Sequence, residues 1–308
     1  MIAVLSGGVG AAKFLRGLVH LVDPSDVVAI VNTGDDTVVH GLHISPDIDT
    51  VTYTLAGRVN PETGWGIAGD SFRTMDALEA LGGETWFRLG DQDIATHLYR
   101  TGALAAGATL SAVTARIAAG LGLGLRIVPM SDDPVRTRLR LVGDEEIAFQ
   151  EYFVHRHHAV EVASVHFAGA DRATPSPGVI EALSDADVIV IAPSNPVLSI
   201  GPILSVPGIA EVVSERRART VAVSPIVAGA ALKGPADRLL VELGEEASVV
   251  GVARRLREVC GTLVIDVADR ALAGEVEKVG LSCKVAPAVM SSLEASVSLC
   301  RATIDAAA

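Results

Sequence analysis

Aromatic residues, cysteines and positive charges are scarce in this sequence, and each shortage excludes a class of protein. Only 4% of the 308 residues are aromatic, whereas 49% are hydrophobic, so the core must consist mainly of Val, Leu, Ile and Ala. This aliphatic bias is typical of a parallel sheet buried between helices. The three cysteines, Cys260, Cys283 and Cys300, form neither a CxxC motif nor a Cys/His cluster. They argue against a disulfide framework and a zinc site, and we expect them to be core residues.

The net charge is −12, with 25 Lys and Arg against 37 Asp and Glu. An acidic surface argues against sequence-independent binding of nucleic acid, which depends on neutralising phosphates, but it allows a local basic pocket for one phosphorylated ligand. No apolar run reaches the roughly 20 residues that span a bilayer. No secretory signal precedes the first apolar run. We therefore expect a cytoplasmic protein without a membrane segment.

The N-terminal stretch MIAVLSGGVGAAK has the pattern of an anion site. Residues 2–5 are typical of a buried strand, three glycines fall within residues 7–10, and residues 11–15 predict the start of a helix. Glycine lets the backbone approach a phosphate closely, and a helix N-terminus presents free N–H groups. The stretch is neither a P-loop nor a complete dinucleotide fingerprint, since Lys13 stands where a third glycine belongs. A tight turn without a ligand is the alternative.

Four aspartates occur in two polar segments after the second apolar strand, residues 27–31: Asp35 and Asp36 in NTGDD, and Asp47 and Asp49 in SPDIDT. Because parallel strands end at one edge of a sheet, we expect the NTGDD loop to lie beside the glycines. Carboxylates near a phosphate site suggest Mg²⁺, which prefers oxygen ligands. Turn and helix-cap roles are the alternative. We expect at least one aspartate to bind metal or substrate, and Asp47 or Asp49 to cap the helix predicted from residue 51.

Residues 50–124 differ in character and predict a small helical insertion that covers the substrate cleft. Apolar residues recur at helical spacing over residues 71–81, 93–104 and 111–121. Arg88 lies between aromatic and acidic residues in WFRLGDQD, a setting that suits an anion, a flat ring or a structural ion pair. The flanking parts, residues 1–49 and 125–308, predict one Rossmann-like α/β domain.

The second half alternates apolar strands with helices. Antiparallel strands are predicted over residues 136–142 and 146–154, and the histidine-rich residues 155–158 are interpreted as an exposed turn. A closing helix is predicted from Ser291. Further strands are predicted at residues 127–130, 187–191, 220–224, 262–265 and 283–285.

Polar loops follow these strands, and we expect them to face one crevice at the carboxyl edge of the sheet. Ser194, Asn195 and Ser199 offer small polar groups that suit a phosphate or a ribose. We predict an α/β fold with a Rossmann-like, mostly parallel sheet, helices on both faces and a small helical insertion near the active site. The chemistry indicated is metal-assisted phosphoryl or phosphodiester transfer with a nucleotide, in which positioning and charge neutralisation dominate.

Seven motifs run along nearly the whole chain: SGGVGAAKFLRGL, NTGDD, SPDIDTVTYTLAG, LGDQDIATHLYR, PMSDDPVRT, PSNPVLSIGPIL and VSPIVAGAALKGPA. Together they resemble the 2-phospho-L-lactate transferases, the CofD/FbiA family. The resemblance implies an Mg²⁺-dependent, homodimeric enzyme of coenzyme F(420) biosynthesis. Such an enzyme transfers a phospholactyl or phosphoenolpyruvyl group from a guanosine diphosphate-linked donor to the terminal ribityl hydroxyl of the deazaflavin Fo, and it releases GMP.

The resemblance also implies roles for individual residues of this sequence. The positions that match Fo-binding residues of the family are Asp49 and Arg88. The implied catalytic and Mg²⁺-binding residues are Asp36 and Asp49, with Asp35 as a further candidate ligand. The residues expected against the donor are Gly8 and Gly10 at the diphosphate, and Ser194, Asn195 and Ser199 at the guanosine. No residue stands out as a general base, and none distinguishes a lactyl from an enolpyruvyl or glyceryl donor.

Two other classes of protein share part of the pattern. A sugar-nucleotide-binding regulator of the gluconeogenesis-factor type has an SGGTG-like start, but the SPDIDT and LGDQD motifs weigh against it. An NAD(P)-dependent oxidoreductase would share the sheet. Two features weigh against an oxidoreductase: the third glycine of the fingerprint is missing, and no isolated acid stands at the end of the second strand.

Overall fold

Strands and helices alternate along most of the chain in the computed structural model, which describes residues 1–307. The strands are β1 (Ile2–Ser6), β2 (Val27–Val31), β3 (Thr37–Val39), β4 (Leu42–Ile44), β5 (Arg126–Pro129), β6 (Arg136–Leu141), β7 (Glu146–Ala148), β8 (Val162–Ala168), β9 (Val188–Ile191), β10 (Thr220–Val223), β11 (Ile226–Val227), β12 (Ala230–Ala231), β13 (Thr262–Ile265) and β14 (Ser282–Val285). The α-helices are α1 (Val9–Leu18), α2 (Pro46–Leu55), α3 (Arg73–Ala80), α4 (Asp91–Ala105), α5 (Leu110–Gly120), α6 (Val179–Asp185), α7 (Ile200–Ser205), α8 (Ile209–Glu215), α9 (Ala236–Glu242), α10 (Val249–Leu256), α11 (Ala273–Lys278) and α12 (Leu293–Asp305). Ala308, the last residue of the predicted α/β domain, lies outside the described residues.

Seven parallel strands form the central sheet in the order β14-β13-β10-β9-β1-β2-β5. From β1 the chain first builds one side through β2 and β5, and then crosses to β9, β10, β13 and β14 on the other side. Ile2 of β1 pairs with Val27 of β2 and with Val188 of β9. The winding direction therefore reverses at β1, and the crevice at the carboxyl ends of β1 and β9 is where such sheets bind ligands. The predicted parallel α/β fold is confirmed.

Alternate residues of the sheet face two separate hydrophobic cores. Leu5 and Ile30 belong to one core together with residues of α6 to α11. Val4 and Ala29 belong to the other core, together with residues of α1, α2, α5 and α12. Because successive side chains of a strand point to opposite faces, both faces of the sheet must be covered by helices. The predicted helical layers on both faces are confirmed.

The polar region between β2 and β5 contains a smaller unit with its own core. Ile44 of the β3–β4 hairpin packs there with Met75 of α3 and with Leu89. The predicted domain boundary at residue 50 stays a prediction. Helix α2 runs across that position, and Ile48 and Val51 both pack in the main core that contains α1. None of the helices within residues 1–307 is long and apolar enough to cross a membrane.

The bounds of α2 correct one prediction about the aspartates. The helix begins at Pro46, not near residue 51, and its N-cap residue is Ser45, whose side chain makes no capping hydrogen bond. Proline is favoured at the first helical position because its fixed φ suits the helix and its missing N–H costs nothing there. Asp47 and Asp49 therefore lie inside the first turn, and the prediction that one of them caps the helix is wrong.

Short and half-exposed strands account for the other differences. The strand predicted over residues 146–154 ends at Ala148 and is followed by a π-helix, Glu151–His155. The unpredicted strand β8 completes an antiparallel sheet in the order β7-β6-β8. The exposed turn predicted over residues 155–158 is correct only in part, because His155 ends the π-helix and the bend and turn cover residues 156–158, of which Arg156 and His158 are half-buried. Cys260 and Cys300 are buried, whereas Cys283 is only half-buried because β14 lies at the edge of the sheet.

Candidate active site

The glycines between β1 and the first turn of α1, residues 7–10 (the glycine turn), pack tightly against other parts of the protein. A β-carbon at Gly10 would overlap the carbonyl oxygen of Pro193. A β-carbon at Gly8 would come 2.5 Å from Asp47 Oδ1, closer than real β-carbons approach other atoms. Close packing on a backbone carbonyl thus explains the glycine at position 10, whereas Gly8 leaves room for the side chain of Asp47. The contact of Gly8 and Gly10 with a diphosphate stays a prediction.

Helix α1 has a free N-terminus at the glycine turn. Gly8 supplies no side-chain cap, and no acidic residue lies in the first turn. The first N–H groups of a helix have no partner within the helix, and they form the positive end of its dipole. This end of α1 opens at the crevice between β1 and β9 and has the features of an anion-binding site.

The loop from β9 to α7 lies beside the glycine turn. Ser194 Oγ accepts a hydrogen bond from the Gly7 N–H at 3.1 Å. Ser199, the N-cap residue of α7, packs so closely on Gly7 that a β-carbon there would lie 2.5 Å from Ser199 Cβ. Asn195 Oδ1 accepts hydrogen bonds from two backbone N–H groups of its own loop, at 2.9 and 3.0 Å. The structure therefore places these residues at the crevice, and their contact with guanosine stays a prediction.

Asp35, Asp36 and Asp47 form a carboxylate cluster at the end of β2 and the start of α2, beside the glycine turn. Ser45 Oγ donates to Asp36 Oδ2 at 2.7 Å, and Asn32 Nδ2 donates to Asp47 Oδ2 at 2.9 Å. Asp35 and Asp36 are only 5% and 4% exposed. Their other oxygens, Asp35 Oδ1 and Asp36 Oδ1, have no hydrogen-bond partner among the described residues. Buried acceptors of this kind are costly unless a ligand satisfies them.

The carboxylate cluster binds protons more tightly than exposed aspartates do. Burial raises the pKa of Asp36 to about 7 and the pKa of Asp47 to about 6. Burial and the nearby charge of Asp47 raise the pKa of Asp35 well above its ordinary value. A divalent cation would offset both the desolvation and the repulsion, and carboxylate oxygens are the ligands that Mg²⁺ prefers. The donor set therefore fits Mg²⁺.

Asp49 belongs to a second network, in which it pairs with a buried arginine. Arg100 of α4 is 0% exposed, and its Nη1 donates to Asp49 Oδ2 at 3.1 Å while its Nη2 donates to Asp49 Oδ1. Arg100 Nη1 also donates to the His43 carbonyl oxygen at 3.3 Å and lies 3.2 Å from His97 Nδ1. A two-pronged guanidinium–carboxylate pair is among the strongest polar contacts in proteins. It joins α4 of the insertion to the first turn of α2.

The same network continues along α4 to Asp93. The Tyr53 hydroxyl donates to Asp93 Oδ1 at 2.7 Å, and His97 Nε2 lies 3.3 Å from that oxygen. Burial opposes ionisation of Asp93, but His97, Tyr53 and Arg100 together outweigh it and lower the pKa of Asp93. Asp49, Asp93 and His97 each bring a ligand atom within 4.8 Å of the others, a spacing that would suit a metal ion. At this position the guanidinium of Arg100 already balances the negative charge of Asp49, as a metal ion otherwise would.

The three predicted metal ligands are thus divided between the two networks. Asp35 and Asp36 keep free oxygens in the carboxylate cluster, whereas both oxygens of Asp49 are held by Arg100. The charges of Arg136, Arg100 and Asp49 all act on Asp36, so the networks are neighbours. Whether any of these aspartates binds metal stays a prediction.

Arg88 lies on the surface of the insertion. Its side chain is 44% exposed, its Nη2 donates to Asp76 Oδ1 at 2.7 Å, and its guanidinium stacks on the Phe72 ring at 5.1 Å. Within residues 1–307 it pairs with Asp76 and with no member of the carboxylate cluster. Phe72 also lines a cavity of about 340 Å³ with Asn60 and Asp70. The structural ion pair considered for Arg88 is present, and its contact with Fo stays a prediction.

Sequence reasoning missed the residues that hold the aspartates. Asn32 and Ser45 begin the NTGDD and SPDIDT motifs, and each donates a hydrogen bond to an aspartate. Asp93, His97 and Arg100 follow one another by four and three residues and therefore share one face of α4. This spacing of three ionisable residues on one helix face was the feature of the sequence that could have indicated a buried polar network.

Comparisons with known proteins agree on one family. The family model described as "2-phospho-L-lactate transferase CofD" matches residues 2–284. A "Phosphoenolpyruvate transferase" from Streptomyces griseus is 44% identical and covers 99% of this chain and 98% of its own. A protein of the same name from Kitasatospora aureofaciens is 43% identical, over 98% and 96% of the two chains.

Solved structures support the same fold. A crystal structure from Bacillus halodurans, described as a member of the UPF0052 family, has a TM-score of 0.59 at 18% identity. A second structure from this organism has a TM-score of 0.62, also at 18% identity, and both cover 93% of this chain and 92% of their own. At this identity the likeness concerns the fold alone. With a family model that matches residues 2–284 and relatives above 40% identity, the chain belongs to the 2-phospho-L-lactate transferase CofD family.

Proposed function

We propose that this protein transfers a phosphoenolpyruvyl group from a guanosine diphosphate-linked donor to the terminal ribityl hydroxyl of Fo, with release of GMP. Family membership supports this class of transfer, and the names of the Streptomyces and Kitasatospora relatives favour an enolpyruvyl over a lactyl donor. The product is then a precursor of coenzyme F(420). The resemblance to the family further supports a cytoplasmic homodimer that acts on small molecules.

The observation that carries the proposal is the contact between the carboxylate cluster and the glycine turn. Asp47 Oδ1 occupies the space where a side chain of Gly8 would be, and Gly8 immediately precedes the free N-terminus of α1. A diphosphate at that N-terminus would lie next to carboxylates of the same charge. Such neighbours are stable together only with a cation between them. This geometry suits a metal-assisted reaction of a diphosphate.

Asp35 and Asp36 are the residues that we assign to Mg²⁺. Each has an oxygen without a hydrogen-bond partner among the described residues. When bound, Mg²⁺ would neutralise charge on the phosphate oxygens of the donor. With both oxygens of Asp49 held by Arg100, we assign Asp49 to orienting the site.

The transfer itself requires one P–O bond to form and another to break. The hydroxyl oxygen of Fo attacks the phosphorus that carries the three-carbon acid, the bond to the bridging oxygen breaks with its electron pair, and GMP leaves. The hydroxyl proton passes to solvent. The N–H groups at the start of α1 hold the diphosphate and the loop around Ser194 lines the donor side, so the protein contributes mainly by positioning.

The cavity beside Phe72 is our candidate site for the deazaflavin ring. Its volume of about 340 Å³ lies within the usual range for small-molecule pockets. Phe72 offers an aromatic wall, and Arg88 already stacks on that ring. Arg88→Ala should therefore weaken Fo binding and leave GDP binding unchanged, which deazaflavin fluorescence and calorimetry can measure.

A direct assay incubates the protein with Fo, Mg²⁺ and either the enolpyruvyl or the lactyl donor, and follows the phosphodiester product and GMP by mass spectrometry. We expect product with the enolpyruvyl donor, and none when EDTA removes the metal. Product formed equally well in EDTA would overturn the metal assignment. If no donor yields product and Fo does not bind, the transferase proposal is wrong.

A further inference from the structure

Lys233, in the loop between β12 and α9, reaches a segment of the insertion that packs on the first residue of α1. Its Nζ donates to the Thr63 carbonyl oxygen at 2.7 Å. A β-carbon at the neighbouring Gly64 would lie 3.4 Å from Lys233 Nζ and 3.1 Å from Cγ1 of Val9. Val9 is the first residue of α1. Gly64 therefore lies between the ammonium group and the side chain of the first residue of α1.

The charge of Lys233 is not balanced by a carboxylate within residues 1–307. Its hydrogen-bond partner there is a neutral carbonyl oxygen, which uses one of the three N–H donors of the ammonium group. The neighbouring N-terminus of α1 is also positive and uncapped. Asp47 is the acid that reaches the glycine turn, and no described acidic residue pairs with Lys233, so an anion such as a phosphate is a suitable partner for both the ammonium group and the helix N-terminus.

A second observation points to a ligand at this place. Asp35 Oδ1 and Asp36 Oδ1 are partnerless oxygens on side chains that are more than nine-tenths buried. They belong to the carboxylate cluster, whose member Asp47 touches the glycine turn. The glycine turn thus has the carboxylate cluster as one neighbour and the ammonium group of Lys233 near the start of α1 as another. A diphosphate with a divalent cation would complement both.

The loop that carries Lys233 is anchored at its base. Both oxygens of Asp269, which is 5% exposed, accept hydrogen bonds from the Ala228 N–H at 3.2 and 3.0 Å. Ala228 has a φ of 52°, a left-handed conformation that costs energy in any residue but glycine. The buried carboxylate therefore fixes the turn between β11 and β12, and with it the start of the loop that leads to Lys233.

We propose that Lys233 is a donor-binding residue whose ammonium group contacts the diphosphate of the nucleotide at the start of α1. This proposal rests on the proposed function, which supplies the diphosphate. By holding Thr63 as well, Lys233 would bring residues 60–67 of the insertion over the donor. No residue of the glycine turn could supply this positive charge.

The test compares Lys233→Met, Lys233→Arg and the control Lys278→Met, a lysine on α11 that pairs with Glu275 at the surface. Lys233 is exposed, so its replacement leaves the core intact. GDP binding with Mg²⁺ is measured by calorimetry, Fo binding by fluorescence, and the Michaelis constants of donor and Fo in the transfer assay. Loss of one charge-assisted contact predicts GDP binding about 10- to 100-fold weaker in Lys233→Met. We expect the donor KM to rise in parallel. Fo binding should fall by a clearly smaller factor than GDP binding, because the cavity proposed for Fo shares residues 60–67 with the segment that Lys233 holds. Lys233→Arg should stay within about threefold of the wild type, and Lys278→Met should match it.

Each other result contradicts the proposal. Unchanged GDP binding in Lys233→Met would show that the lysine does not touch the diphosphate, and the transferase proposal would stand. Equal losses for GDP and Fo would show that Lys233 acts only by holding the insertion in place. A wild-type protein that binds no GDP and transfers nothing would overturn this inference together with the proposed function.

Discussion

The charge of Asp36 should destabilise the metal-free protein, and its removal should therefore stabilise it. Asp36 is 4% exposed, and burial raises its pKa to about 7, although Ser45 and the nearby arginines oppose the rise. A carboxyl group whose pKa is higher in the folded than in the unfolded state lowers the free energy of unfolding when it ionises. This cost is absent below pH about 4 and fully present above pH about 7.

The size of the effect follows from the difference in pKa between the two states. The ordinary pKa of 3.8 and the folded-state pKa of about 7 correspond to a loss of about 4 kcal/mol of stability above pH 7, since one pKa unit is about 1.4 kcal/mol. Asparagine keeps an oxygen that can accept from Ser45, but its amide is still buried. We therefore expect Asp36→Asn to recover roughly half, about 2 kcal/mol, or about 3–6 °C in Tm.

The assay is thermal and urea unfolding at pH 8 with EDTA, with Asp171→Asn as the matched control on a side chain that is 79% exposed. Asp36→Asn should be more stable than the wild type without metal, should gain less stability from Mg²⁺, and should lose transfer activity. The control should behave as the wild type. A variant that is less stable than the wild type in EDTA would refute the reasoning. It would show that the attraction between the Asp36 carboxylate and the nearby Arg136 and Arg100 outweighs the cost of burying the charge.

Three further predictions concern the same region. The Tm of the metal-free protein should rise when the pH falls from 8 to 6, as the carboxylate cluster takes up protons, and Mg²⁺ should reverse this trend; a Tm that falls would contradict the raised pKa values. Arg100→Met leaves Asp49 buried without its partner and should cost about 3–5 kcal/mol in urea unfolding, whereas a loss below about 1 kcal/mol would show that water solvates the site. Gly10→Ala should lower stability strongly, because the new β-carbon would overlap a backbone carbonyl. Gly102→Ala, on α4 with open space around it, should raise stability by up to about 1 kcal/mol. Equal effects of the two substitutions would contradict the packing argument.

The central sheet could be predicted because its inner strands are buried on both faces. Residues 27–31 and 262–265 are continuous apolar runs, and their bounds agree with β2 and β13. The strands β3 and β4 have only three residues each, too few for a period-two pattern. Strand β8 is largely exposed, and polar and apolar residues alternate clearly only over residues 164–167, which is the minimum length for a strand pattern.

The position of the candidate site could be predicted from the rule for parallel sheets, but the partners within it could not. The loops after β1, β2 and β9 meet at the crevice, as expected from the order of strands. Arg100 pairs with Asp49, 51 residues earlier on another helix, and no local pattern encodes that distance. Burial of these charges depends on how α4 packs against α2, which follows from tertiary structure alone.

The central claim is that the carboxylate cluster holds a divalent cation against a diphosphate at the start of α1. The most direct test is phosphorus NMR of GDP bound to the protein, with Mn²⁺ in place of Mg²⁺, in the wild type and in Asp35→Asn. We predict strong paramagnetic broadening of both phosphorus signals in the wild type, and a loss of most of it in the variant. Bound GDP whose phosphorus signals stay sharp in the wild type, or broaden equally in the variant, would contradict the account.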